Sequence, residues 1–143
     1  KNGKSEQYIA DHKFTFHDAV IVASLIEKES GNASESFNIA SVIYNRLENP
    51  TSSAGTNGYL QIDATLFYLT GKTPTEADKA IDSPYNTYLY KGLPAGPISN
   101  PGMASIQAAM NPENTNYFYY ALGDDDVHHF FSSYAEHQAF LNS

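Results

Sequence analysis

Between Ser83 and Pro101 the chain carries four prolines together with the small turn-formers Gly92, Gly96 and Asn100. Proline fixes φ, removes a backbone donor and clashes with a preceding helical turn, so no helix or strand runs through this stretch. The chain must cross it as a rigid, irregular loop, and regular elements are confined to either side. Upstream the pattern is helical. Thr15 with Asp18 three residues on forms a capping box that opens a helix over Phe16–Ser30, ended by Gly31. Ala19, Val22, Leu25, Ile26 and Glu29 recur at helical spacing and share one face. A second helix over Ser34–Glu48 carries the stripe Ile39, Ile43 and Leu47 and is stopped by Pro50. Residues 1–13 are polar apart from Tyr8 and Ile9 and read as a lead-in. The Ser-, Thr-, Gly- and Asn-rich run from Thr51 to Gly58 reads as an exposed loop inside one domain, because its flanks are too short to fold alone.

Asp63 is placed to cap a short helix over Ala64–Thr70, closed by Gly71, and Thr75–Ile81 suits one or two helical turns. Asn100-Pro101 reads as N-cap and first residue of a helix reaching Met110. Tyr117–Leu122 is aromatic and strand-like, residues 123–126 form a turn, and Val127–Phe131 returns. Ser133 with Glu136 repeats the capping-box pattern for a last helix to about Leu141. The expected class is α+β: a helix-rich single domain with a small antiparallel hairpin near its C-terminus.

Composition narrows the function classes. A net charge of −8 on 143 residues leaves few cations to displace phosphate counterions, so nucleic acid is excluded and an anionic membrane surface disfavoured. Absence of cysteine removes disulfides, thiolate zinc sites and thiol nucleophiles. No apolar run is long enough to span a bilayer. A start at Lys1 in place of Met is expected of a processed or excised piece with anchors or signals upstream. Eleven Tyr and eight Phe with no Trp suit a wet groove for a polar polymer, and equally an ordinary core rim.

Glu29 is the most informative residue. It lies on the apolar stripe one turn past Leu25 and Ile26, where an apolar setting raises a carboxyl pKa and keeps it protonated as a general acid requires. A Glu that snorkels from a helix end to solvent fits the same pattern. Glu27 lies about 200° away around the helix axis and cannot share that face. Two-carboxylate glycosidases need a partner acid. Glu35, in the first turn of the next helix, and Asp63 are available, but neither stands out, and a one-carboxylate mechanism stays open. No His pair has metal-ligand spacing, and no phosphate loop or G-x-S-x-G elbow occurs, so neither metal nor nucleotide cofactor is expected. His128 and His129, being adjacent, point to opposite faces of a strand. Asn86 and Tyr88, in the Pro/Gly-fixed loop, offer donors and acceptors for sugar hydroxyls or acetamides.

Several stretches together resemble one family. Val22–Ser30 (VASLIEKES) is similar to the signature helix of the YceG-like (MltG) endolytic murein transglycosylases, and Ala40–Leu47 to the helix after it. Leu60-Gln61-Ile62-Asp63-Ala64-Thr65 resembles its L-Q-x-D-x-T element. Ser83–Tyr88 and Gly92–Gly102 match its S-P-Y-N-T-Y and G-L-P-x-G-P-I-x-x-P-G runs, and His128-x-Phe130 with His137 its terminal pieces. The match runs from about Phe16 onward. It implies a lysozyme-like groove and cleavage of bacterial peptidoglycan strands between N-acetylmuramic acid (MurNAc) and N-acetylglucosamine (GlcNAc), without water, leaving 1,6-anhydro-MurNAc ends. The family's catalytic Glu maps onto Glu29, with Glu27 the competing position. Gln61, Asp63, Tyr85, Asn86, Tyr88 and His128 are implied to line the groove, with Asn45 and Arg46 as neighbours; a structural ion pair is the other role for Arg46. No cofactor is implied.

Two departures bear on fine substrate preference: the bulky, acidic stretch Asp124–Val127 and the insertion-like Ser52–Gly58. Family proteins carry an N-terminal membrane anchor and a small LysM-like domain, so the resemblance implies a catalytic domain, residues 14–143, acting on the extracytoplasmic face of the membrane. A cell-wall synthesis complex is an implied partner of the full-length protein. A hydrolytic muramidase and a glycan-binding wall module of little activity are the alternatives carried forward.

Overall fold

The computed structural model describes residues 14–30, 32–51 and 55–142. Among the described residues five α-helices, one 3-10 turn and one hairpin follow in the order α1 (Phe16–Glu29), α2 (Ala33–Glu48), α3 (Asp63–Thr70), the 3-10 turn Glu76–Ala80, α4 (Met103–Met110), β1 (Tyr119–Leu122), β2 (His128–Phe131) and α5 (Tyr134–Leu141). The lead-in, Gly31 and Ser52–Ala54 lie outside the described residues. No helix among the described residues is long and apolar enough to cross a membrane.

Helix α1 is the central element. The expected capping box forms: Thr15 Oγ1 accepts from the Asp18 amide and Asp18 Oδ2 from the Thr15 amide, both at 3.0 Å. Every residue from Ile21 to Ile26 is buried, wider than the one-face stripe, because α2, α3 and α4 all pack against this helix. Val22, Leu25, Ile26, Ile39, Ile43, Leu60, Ile62 and Ala108 belong to one core. Tyr44 closes it, and its buried hydroxyl donates to the Ala109 carbonyl at 2.6 Å.

Three helix starts differ from expectation. Helix α2 begins at Ala33, one residue before the expected Ser34, because Asn32 supplies the N-cap oxygen to the Glu35 amide (3.1 Å). Asp63 is the first residue of α3 and not its cap; Ile62 holds the cap position with no side-chain bond, so the Asp63 carboxylate is free to bond elsewhere. Helix α4 starts at Met103 after Gly102, not at Asn100-Pro101. Its cap comes from α1: Glu27 Oε1 accepts from the Gly102 amide (3.0 Å) and from Ser105 Oγ (2.8 Å), a carboxylate on a helix N-terminus.

The Pro/Gly loop is irregular throughout, as its composition requires, and it is anchored to α1. The Ile98 amide donates to Ser24 Oγ (3.1 Å) and Ser99 Oγ to the Ser24 carbonyl (3.0 Å). The strands pair antiparallel with Tyr119 opposite Phe131 and Tyr120 opposite Phe130. His128 and His129 face opposite sides, as a strand demands: His128 reaches Glu35 of α2, while His129 meets Asp125 in the turn and Phe140 of α5. Thus α+β with a late two-stranded hairpin is the observed class.

Candidate active site

The last turn of α1 and the first turns of α3 open onto a cleft of about 510 Å³, whose walls include Lys28, Glu29, Asp63, Phe67, Tyr68 and Ile98. Glu29 ends the stripe of α1, so the periodicity that buries Leu25 and Ile26 also aims its carboxyl at the cleft edge. The residue keeps some accessible surface on the cleft side, while protein surrounds the carboxyl elsewhere. Oε1 accepts from the Tyr120 hydroxyl at 2.8 Å. Among the described residues Oε2 accepts no hydrogen bond. Burial pushes the Glu29 pKa up, the Tyr120 bond opposes this, the Asp63 charge adds to the rise, and His128 and Arg46 act against it.

Glu27 has the opposite environment. It is exposed, and the Gly102 amide followed by the Ser105 hydroxyl holds its carboxyl below the ordinary range. A carboxyl that stays ionised while capping a helix is unsuited to donate a proton at neutral pH, so environment separates the two acids as their helical positions do.

Asp63 reaches the same cleft and its Oδ1 accepts from the Tyr88 hydroxyl at 2.5 Å. Burial, then the bond to Asp63, pushes the Tyr88 phenol well above its ordinary range, which keeps it a donor. The turn into α3 is unusual: Gln61 is exposed and has φ +52°, a left-handed conformation that costs a residue with a side chain about 1 kcal/mol. It is held by two bonds to Thr87 of the loop: the Gln61 amide donates to the Thr87 carbonyl (3.1 Å) and the Ile62 amide to Thr87 Oγ1 (2.9 Å). Tyr85 packs its ring on Tyr68 with centroids 5.0 Å apart, so it supports the aromatic wall.

Two residues expected in the groove are engaged inside the protein. Asn86 is fully buried; its Nδ2 donates to the Lys79 and Ile81 carbonyls (3.0 and 2.8 Å) and its Oδ1 accepts from the Tyr88 amide (2.9 Å). It shapes the loop that carries Tyr88 and has no surface for a sugar. His128 gives its amide to Glu35 Oε2 (2.8 Å) and pairs Nδ1 with Glu35 Oε1 (2.7 Å), its ring lying edge-on to Tyr120. Asn45 likewise serves the backbone, donating to the Thr115 and Tyr117 carbonyls at 3.0 and 2.8 Å. The buried Arg46 guanidinium donates to the Phe118 carbonyl (2.7 Å) and the Leu60 carbonyl and lies over the Tyr119 ring. It forms no ion pair among the described residues.

Tyr120, Phe67 and Tyr68 were not singled out by sequence. Tyr120 sits in an aromatic strand where any of several rings suits packing, and only the hairpin register turns it toward Glu29. Phe67 and Tyr68 are about half exposed on α3; Phe67, four residues beyond Asp63, shares its side of the helix, while Tyr68, five beyond, lies about 140° around the axis and no spacing points to it.

The YceG-like family model matches residues 1–143. An endolytic murein transglycosylase of Bacillus subtilis is 42% identical over 112 residues, which are 76% of this chain and 29% of that protein. One of Streptococcus pneumoniae serotype 2 is 30% identical over 120 residues, 78% of this chain and 20% of that protein. The 2.6 Å crystal structure of a yceG-like protein from Listeria monocytogenes has a TM-score of 0.79 to this fold at 36% identity, over 95% of this chain and 43% of that one. The chain therefore spans less than half the length of each of these relatives. By family model, sequence and fold alike, it belongs to the YceG-like family.

Proposed function

We propose that this chain is the bond-cleaving part of an endolytic murein transglycosylase, with Glu29 as its acid and base and peptidoglycan glycan strands as its substrate. The observation that carries the reading is Glu29 itself: a carboxyl at a cleft wall, its pKa raised by burial, with one oxygen bonded by Tyr120 and the other open. Protonated Glu29 gives its proton to the glycosidic oxygen, and the bond from MurNAc C1 to that oxygen breaks, releasing GlcNAc with a free 4-hydroxyl. The resulting carboxylate takes the proton of the MurNAc C6 hydroxyl, whose oxygen bonds to C1. The products are a 1,6-anhydro end and Glu29 protonated as at the start; no water enters.

The Asp63–Tyr88 pair serves as a fixed polar wall for sugar hydroxyls and for the positive charge that develops at C1. Phe67 and the Tyr68–Tyr85 ring pair offer apolar faces to pyranose rings. Gln61, exposed at the turn into α3, is a further sugar contact. Because peptidoglycan lies outside the cytoplasmic membrane, the setting of this activity is extracytoplasmic.

One observation favours a second reading. Asp63 is a second carboxylate on the same cleft as Glu29, the arrangement a hydrolytic muramidase uses. Digestion of purified glycan strands in ¹⁸O-water decides between them. Anhydro ends lighter by one water and free of ¹⁸O support the transglycosylase. Reducing ends carrying ¹⁸O establish hydrolysis. Strand binding with no product, unchanged by Glu29→Gln, would leave a glycan-binding module.

A further inference from the structure

One carboxyl that serves as both acid and base meets two reacting groups in turn, so its orientation matters more than in a two-acid site. Glu29 ends its helix, where side-chain freedom is greatest, and nothing on α1 itself fixes the carboxyl. What fixes it comes from the hairpin. Tyr120 on β1 donates to Oε1 at 2.8 Å. The Tyr120 ring is in turn met edge-on by His128 of β2, with centroids 5.7 Å apart and planes at 71°. His128 is gripped at two points by the buried Glu35 of α2, through its backbone amide and through Nδ1.

We propose that Tyr120 is a positioning residue that holds Oε1 of Glu29, leaving Oε2 as the reacting oxygen, and that the Glu35–His128 pair sets the Tyr120 ring for this task. His128, whose place in the family motif suggests a sugar contact, thus acts through Tyr120. The phenol is suited to permanent donation: burial pushes its pKa well above the ordinary range, so it remains protonated in both states of Glu29. Its bond is stronger to the carboxylate than to the carboxylic acid, so it stabilises the form that exists after the first proton transfer. The charged and titratable groups around Glu29 are Asp63 of α3, Tyr88 of the Pro/Gly loop, His128 of β2, Arg46 of α2 and Tyr120, with Lys28 on the same cleft wall. Of these, Tyr120 makes the direct bond.

The test is a titration of Glu29 followed by kinetics. The full chain is made with ¹³C-labelled glutamate side chains, and the Glu29 carboxyl resonance is identified by its loss in Glu29→Gln. Tyr120→Phe, which removes one oxygen, is expected to raise the Glu29 midpoint by about one pH unit, since a bond that favours the charged form is lost. Glu35→Gln, which alters the carboxylate that grips His128, is expected to raise it by a smaller amount. The double variant is expected to match Tyr120→Phe alone, because both changes act through one bond. An unmoved midpoint in Tyr120→Phe overturns the proposal, and fully additive shifts overturn the part assigned to Glu35 and His128.

The kinetic half rests on the transglycosylase reading. On purified glycan strands kcat of Tyr120→Phe is expected to fall about tenfold, with KM within about twofold and the high-pH limb displaced upward. A change in KM with kcat intact makes Tyr120 a sugar contact and sinks the positioning role. If the wild-type chain turns over no glycan while the titration behaves as stated, the carboxyl is positioned as proposed and only the reading of the reaction fails.

Discussion

Glu27 and Glu29 leave α1 two residues apart and meet opposite environments, Glu27 capping α4 through the Gly102 amide and Glu29 lying against Tyr120 at the cleft. Their variants should therefore separate stability from activity. Glu27→Gln keeps turnover and lowers stability by about 0.5–1 kcal/mol, the scale of a lost helix cap on an exposed side chain. Glu29→Gln abolishes product formation with the fold intact. The Glu27 effect has a pH signature. Its folded pKa is lowered, so its contribution is present above the ordinary carboxylate range and disappears as the pH falls through the folded value. Chemical denaturation at pH 7 and pH 3 checks this: a gap between wild type and Glu27→Gln that persists undiminished at pH 3 sinks the capping account.

For Glu29 the sign reverses. Its folded pKa is raised, chiefly by burial, so the ionised carboxyl is less comfortable in the folded chain than in the unfolded one. The wild type then loses stability as the pH rises from the unfolded value through the folded one. Glu29→Gln, which has no charge to bury, is expected to be more stable than wild type at pH 8, and the difference is expected to vanish below about pH 4, under the ordinary carboxylate range. Thermal melts of both proteins across this span measure it. An inactive variant that is also less stable at pH 8 would mean that the carboxylate is a structural partner and not a strained acid.

Much of this site was legible because helical periodicity is a local property. The spacing that buries Val22, Leu25 and Ile26 fixes where Glu29 points, and the capping box at Thr15 fixes where the helix starts. What escaped detection was set by partners far away in the chain. The start of α4 depends on a carboxylate from α1, and His128 is consumed by Glu35 across the fold. No window of sequence contains both ends of such contacts. Tyr120 was hidden for a further reason: in an aromatic strand, register decides which ring faces the acid, and register is set by the whole hairpin.

The reassignment of Asn86 has its own consequence. Its amide is fully buried and makes three hydrogen bonds, so Asn86→Ala leaves two carbonyls and the Tyr88 amide without those partners. A loss of about 2–3 kcal/mol is expected. Tyr88→Phe removes only the bond to Asp63 and should leave stability within about 0.5 kcal/mol while weakening turnover. Denaturation midpoints of the two variants, measured beside their activity on glycan strands, test the distinction. An Asn86→Ala protein as stable as wild type but unable to bind glycan would restore Asn86 to the groove.

The aromatic wall can be probed by what the chain lacks. There is no Trp anywhere in the sequence, so Tyr68→Trp introduces a single indole at the cleft wall, beside the Tyr85 ring. If Tyr68 packs against a pyranose face, the indole should retain binding, and its emission should shift to the blue on saturation with glycan fragments as the ring is desolvated. Tyr68→Ala should weaken binding about five- to twentyfold, the effect of losing an aromatic contact worth roughly 1–2 kcal/mol. The control is the same indole placed at Tyr134, an exposed ring on α5 that packs on Tyr119 and does not line this cleft. An emission shift in Tyr134→Trp as large as in Tyr68→Trp would show that the signal is not local, and a Tyr68→Ala protein with full affinity would remove α3 from the substrate path.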